Sequence, residues 1–176
     1  MVIYSLREKG SMLSFSSLHN DTKKVLKSVV SILKKNKLLT LSTADNQQPH
    51  ACSAYYVFDD ELNLYIWTGV HTRHATNIAE NNRVAVTIAN SSQAWGSSLQ
   101  GLQMHGKASV VKGEFLKASG LYLKRFKKCL TLIKRPQDFH AKVFESRLYK
   151  IQIDKVKVFD EKTFGKEVWV ELVIKR

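Results

Sequence analysis

From Leu38 onward the apolar residues of this chain alternate instead of recurring at helical spacing, and that change of period constrains the fold most. Leu39, Leu41 and Thr43 alternate with Thr40 and Ser42, and the run stops in Ala44-Asp45-Asn46-Gln47-Gln48-Pro49, which is turn chemistry. Further strands are expected over His50 to Phe58, Leu62 to Thr68, Arg83 to Ala89, Leu99 to Val111, Arg147 to Phe159 and Val168 to Ile174. Gly101 and Gly106 interrupt the fifth strand, as glycines do at bulges and close backbone approaches. Seven short strands leave exposed edges unless the sheet closes on itself. The expected fold class is therefore mainly β, a small closed or split antiparallel barrel with helices on its outside.

The helices are few. Asn20 and Asp21 offer an N-cap, after which Val25, Leu26, Val29, Val30 and Leu33 recur at three- and four-residue spacing with lysines between them. A short helix is expected over Thr72 to Asn81, and a longer one over Glu114 to Leu132 with Leu116, Leu121, Leu123, Phe126 and Leu130 as its apolar face. A further helical stretch follows Pro136 and runs to Phe144. Asn90 to Ser98, polar and small apart from Trp95, is expected to be a loop.

At 176 residues the chain suits one domain. Residues 18–176 are expected to form it, with 1–17 a poorly ordered N-terminal segment or a remnant of cloning. Met1 to Ser17 places Arg7, Glu8 and Lys9 after a short apolar stretch, and no later run reaches the roughly 18 apolar residues of a membrane span. Neither a signal peptide nor a transmembrane helix is expected. Two cysteines far apart, Cys52 and Cys129, write no disulfide framework and no zinc motif, so a cytoplasmic setting is expected. Twenty-eight Lys and Arg against fifteen Asp and Glu leave a formal charge of +13, which points to anionic company: nucleic acid, a membrane surface or a phosphorylated small molecule.

The densest local signal is Tyr65-Ile66-Trp67-Thr68-Gly69-Val70-His71-Thr72-Arg73-His74-Ala75, a strand that ends at a Gly turn and enters a helix at Thr72. A helix start gathers free backbone N–H groups and the positive end of the dipole. Thr68 and Thr72 add hydroxyls there, and Arg73 adds a forked guanidinium. These residue types make a phosphate cradle. They serve equally as a plain cap, with Thr72 closing the helix and Arg73 and His74 solvated. Tyr55, Tyr56, Trp67 and Trp95 could wall a planar ring beside it, although adjacent strand residues such as Tyr55 and Tyr56 face opposite sides.

The string Ile66 to Ala75, followed by Asn81-Asn82-Arg83-Val84-Ala85-Val86 and by His105-Gly106-Lys107-Ala108, resembles the pyridoxamine 5'-phosphate oxidase superfamily of FMN-binding split barrels. The resemblance spans about Leu38 to Val111, and the ending with Phe164-Gly165-Lys166 and Trp169 is similar to a compact bacterial branch. It implies FMN as cofactor, held by Trp67, Thr68, Thr72, Arg73 and His74, with His74 standing where the family usually has Lys. Ser53 and Gln103 would add polar contacts, with Gln100 a weaker candidate. The resemblance further implies a homodimer with flavin at the interface, Lys166 or Trp169 reaching across, and a flavin-dependent oxidoreductase acting on a small molecule. The basic residues that grip pyridoxal phosphate are not visible in Ala51 to Val57, so pyridoxamine phosphate is not implied as the substrate.

Two rivals stand beside this reading. Lys107 through Arg135 holds nine Lys or Arg against Glu114 alone, with Tyr122 and Phe126 interleaved, which suits a non-enzymatic barrel tracking a nucleic-acid backbone. The other is a heme-binding split barrel, for which His140 or His19 would be the axial candidate. His50, His71, His74 and His105 are dispersed and come with no carboxylate motif, so no metal site is expected. Cys52 reads as a packed thiol.

Overall fold

The computed structural model describes residues 3–8, 18–45, 48–113, 115–127 and 146–176. The expected helix from Pro136 to Phe144, Cys129, His140 and residues 9–17 lie outside them. Eight strands are described: β1 (Ile3–Glu8), β2 (Leu38–Asp45), β3 (Gln48–Phe58), β4 (Leu64–Gly69), β5 (Arg83–Ala89), β6 (Gln100–Val110), β7 (Ser146–Asp160) and β8 (Trp169–Lys175). Four helices accompany them: α1 (Leu18–Lys35), α2 (Arg73–Glu80), α3 (Phe115–Arg125) and α4 (Glu161–Phe164).

All pairings are antiparallel, in the order β1-β8-β7-β4-β3-β2-β5-β6, and β6 returns to β7. Six strands thus close a barrel, as the alternation predicts, and β8 and β1 extend it along one flank. β7 makes this possible through its length of 15 residues. Its first half pairs β4 (Leu64↔Ile151 to Gly69↔Ser146), its second half pairs β8, and β6 runs along both halves. The first residues of the chain, given no structural weight above, include β1, which covers the edge of β8 from Ile3↔Lys175 to Glu8↔Val170. An uncovered β8 would present unpaired backbone groups.

The β6–β7 register shifts between His105 and Gly106. A Cβ at Gly106 would stand 2.2 Å from the Gln152 carbonyl oxygen, so only glycine lets the two backbones approach.

Alternation sends Leu39, Leu41, Ile66, Val84, Val86, Ile88, Met104, Ile151 and Ile153 inward. α1 adds Val25, Val29, Ile32 and Leu33 from one stripe. The helix begins at Leu18, two residues before the expected cap, so Asp21 sits in the first turn, where its charge complements the dipole. The last carbonyls of α1 have specific partners. The Tyr56 hydroxyl donates to Leu33 O or Asn36 O (2.8 and 2.9 Å), and the Arg125 guanidinium donates to the same two carbonyls while lying 4.7 Å from the Tyr56 ring centroid. Burial pushes the Tyr56 phenol up to about 12 despite the neighbouring Arg125 charge.

α3 seats differently from its expected face. Leu116 is 85% exposed, whereas Ala118 and Tyr122, four residues apart, are buried against Val57, Tyr65 and Leu148 on the outside of the barrel. The Tyr122 hydroxyl bridges the Tyr55 and Tyr65 carbonyls at 2.9 Å each, and Lys117 pairs with buried Asp59 at 3.0 Å. Burial pushes the Asp59 carboxyl upward, but hydrogen bonds from Asn63, Lys117 and Tyr65 outweigh it and hold the group below its ordinary 3.8.

Three stability outcomes follow from these observations. With its folded pKa lowered, Asp59 contributes stability that is complete above the unfolded value of 3.8 and is lost as pH falls through the folded one. Urea unfolding should show Asp59→Asn about 2 kcal/mol weaker near neutrality, the gap closing as pH falls below 3.8. Gly106→Ala should lose more than about 4 kcal/mol or fail to fold. Gly120→Ala on exposed α3, whose Cβ meets nothing within 4 Å, should gain up to about 1 kcal/mol.

Candidate functional site

α2 packs against β2, β3 and β6 at one end of the barrel. Ala75 and Ile78 join the core, and buried Asn77 donates from its side-chain amide to Thr43 on β2 at 3.1 Å. Its N-terminus is left unusual. Thr72 occupies the N-cap with extended backbone (φ −74°, ψ 151°), yet its side chain makes no capping bond, and the first turn holds no acidic residue. The Thr72 hydroxyl instead donates to the Gly69 carbonyl at 2.8 Å. The expected plain cap is therefore not what Thr72 provides.

Around this end the structure gathers Thr68, Thr72, Arg73 and His74. Thr68 is at the end of β4, facing the same side as Ile66. Its hydroxyl lies 3.4 Å from the Thr72 hydroxyl and hydrogen-bonds His74 Nε2, which is also 3.1 Å from the Thr72 hydroxyl. Arg73 is exposed. Burial, with the nearby charge of His50, holds the His74 imidazole below its ordinary 6.5. At neutral pH His74 is thus uncharged, and the positive character of the site comes from Arg73 and the helix end.

The other expected site residues lie elsewhere. Trp67 faces the opposite side of β4 from Thr68 and packs with Tyr65, Ala118 and Tyr122 beneath α3. Tyr56 is a core residue and Trp95 stands fully exposed in the loop before β6, so the four aromatics form no common wall. Ser53 and Gln103 share a row that only register reveals: Ser53↔Thr40↔Thr87↔Gln103 crosses the outer face of β3, β2, β5 and β6. Leu38 and Tyr55, directly opposed and exposed, flank it. Gln100 is taken up structurally, donating to Asp160 at 2.8 Å beside the 2.6 Å bond from Ser28 of α1.

Lys166 and Trp169 belong to the far end of the barrel. Trp169 pairs with Phe159, whereas Thr68 pairs with Arg147, and the intervening stretch of β7 is about 40 Å of strand path. Lys166 lines an open cavity of about 630 Å³ with Trp95 and Glu161, and the Lys157 ammonium lies 4.2 Å from the Trp169 ring centroid.

One grouping escaped the sequence reading. His50 and Cys52, two residues apart on β3, face inward beneath α2, and the His50 and His74 rings stack with centroids 6.1 Å apart. Period-two spacing on β3 carried the signal, but their meeting with His74 depends on where α2 docks. His71 and His105 stand apart from this group, exposed.

Of the basic residues proposed to track nucleic acid, Lys117 is paired with Asp59 and Arg125 caps α1, so neither is free to do so. No described helix is long and apolar enough to cross a membrane.

A family model described as pyridoxamine 5'-phosphate oxidase matches residues 25–159. A UPF0306 protein of Pasteurella multocida is 43% identical over 84 residues, which are 47% of this chain and 56% of that protein. The chain thus spans little more than half the length of that relative. Among solved structures, an FAD-binding protein from Mesorhizobium loti aligns with a TM-score of 0.56 and 16% identity over 96% of this chain and 98% of its own. The heme storage protein HutZ of Vibrio cholerae aligns with a TM-score of 0.58 and 20% identity over 72% and 88%. At such identities the likeness is one of fold. With a match running from α1 to the end of β7 over a closed six-stranded barrel, the chain belongs to the pyridoxamine 5'-phosphate oxidase family.

Proposed function

We propose that this protein binds FMN with the phosphate at the N-terminus of α2, and that it works as a flavin-dependent oxidoreductase on a small molecule. The observation that carries the reading is the uncapped N-terminus of α2, where Thr68, Thr72 and His74 converge, Arg73 is the first helical residue and the first turn holds no acidic residue. A dianionic phosphate suits such a place because backbone N–H groups, a helix dipole and a permanent guanidinium act together on one anion. The FAD-binding neighbour shows a flavin nucleotide associated with this fold.

Bound flavin would supply the hydride chemistry, and the chain's own residues would hold and orient it. Arg73 forms the forked charge contact. Thr68 and Thr72 can turn their hydroxyls from each other and from His74 toward phosphate oxygens, and His74 Nε2–H becomes available as a further donor. Ser53 and Gln103, in one row on the outer face, offer amide and hydroxyl partners to a ring lying there. In this reading a second copy covers that face, with Leu38 and Tyr55 at the contact. At the phosphate end, beside Thr68, Lys166 and Trp169 reach the flavin only from the partner copy, whereas within one barrel Trp169 stands by Lys157, the β7 partner of Gln103.

The visible spectrum of the purified chain, after FMN addition and removal of excess, tests the reading. Wild type should retain a flavin spectrum, and Arg73→Ala should bind roughly 10- to 100-fold more weakly, the loss of a charge-assisted contact. A colourless protein that ignores FMN but gains a Soret band with heme would replace flavin by the ligand of the Vibrio neighbour. Sedimentation should give twice the monomer mass, and a monomer that still binds FMN would remove the interface from the proposal.

A further inference from the structure

The inner face of β3 presents two metal-ligand side chains side by side. His50 and Cys52 are separated by one residue and point into the barrel mouth, opposite Thr43 and Leu41 of β2. The start of α2 brings His74 against them. One ligating atom from each, a ring nitrogen of His50, Sγ of Cys52 and a ring nitrogen of His74, lie within 4.8 Å of one another. A tetrahedral ion with nitrogen at about 2.1 Å and sulfur at about 2.3 Å needs ligands about 3.5 Å apart, a contraction that small side-chain rotations supply. Cys52 forms no disulfide.

The hydrogen bonds around His74 also fit a ligand imidazole. The Thr72 hydroxyl uses its single proton on the Gly69 carbonyl, so toward His74 Nε2 it is an acceptor. Nε2 therefore carries the ring proton, and the lone pair is on Nδ1. A ligating histidine is oriented in this way, by an oxygen that fixes the tautomer through the other nitrogen.

We propose that His50, Cys52 and His74 form a binding site for one divalent transition-metal ion of the zinc class, held by two imidazoles and one thiolate. This ligand set is softer than Mg²⁺ or Ca²⁺ accept, and it suits Zn²⁺ and its spectroscopic substitute Co²⁺. On binding, Cys52 releases its proton to solvent and the ion gains the thiolate. Three protein ligands leave a fourth position for water or another small ligand. The site does not depend on flavin, and its test uses none.

The full chain, stripped with a chelator and kept reduced, is titrated with Co²⁺ in flavin- and phosphate-free buffer. One equivalent should produce a thiolate-to-cobalt charge-transfer band with the strong visible bands of four-coordinate Co²⁺, and Zn²⁺ should erase both. Cys52→Ser should abolish the charge-transfer band, and His50→Ala and His74→Ala should each weaken binding by more than the roughly 100-fold typical of outer-shell changes. Cys129→Ser should change neither. Absence of the band from wild type at one equivalent overturns the proposal whatever the variants do, and so does a band that survives Cys52→Ser. Far-ultraviolet circular dichroism of each variant separates loss of a ligand from loss of the fold.

Discussion

The double pairing of β7 is the constraint on which the rest of this structure depends. One strand of 15 residues holds β4 through its first half and β8 through its second, with β6 along both, and so turns an open sheet into a closed barrel. Along that length β7 carries one extra residue, Asp154, where the register with β6 shifts between His105 and Gly106. The Gln152 carbonyl lies so near Gly106 that no side chain fits there. Closure removes the β6 edge and leaves the long outer flank to β8 and β1.

Closure also fixes where the helices sit. α1 lies on the core with its Ser28 hydroxyl bonded to Asp160 at the end of β7, and its last carbonyls are held by Tyr56 and Arg125. Arg125 comes from α3, so α1 and α3 are tied together across the barrel surface. α2 packs at one end of the barrel. The apolar side of α2 is held by Ala75, Ile78 and Asn77, and this anchoring leaves its first turn facing Thr68 with no cap of its own. The candidate site is thus a by-product of packing, since the helix is aimed by its buried face and its free donors point where that aim sends them.

The sequence carried the strands well because alternation is a local signal that burial on one face enforces. Arg83–Ala89 is matched residue for residue, no other expected boundary is off by more than two residues, and β1 alone has no counterpart among the expected strands. It carried α3 poorly. Of the expected apolar face, Leu121 and Phe126 pack partly buried but Leu116 is exposed, and the surface α3 covers is reached most deeply by Ala118 and Tyr122, whose hydroxyl serves two carbonyls. Aromatic residues misled for the same reason, because Trp67 and Thr68 are neighbours in sequence and opposites across the sheet.

By itself the sequence determined the alternating strands, the glycine at the bulge, the helix stripe of α1 and the cluster from Thr68 to His74 that enters α2. These are properties of neighbouring residues, readable from spacing of two or three to four and from local turn chemistry. Only the tertiary structure decided that Ser53 and Gln103 share one row, that Lys166 and Trp169 stand at the opposite end of β7, and that His50 and Cys52 meet His74. Each of these depends on strand register and on the seat of α2. Both are set by contacts between residues far apart in the chain, which no local pattern encodes.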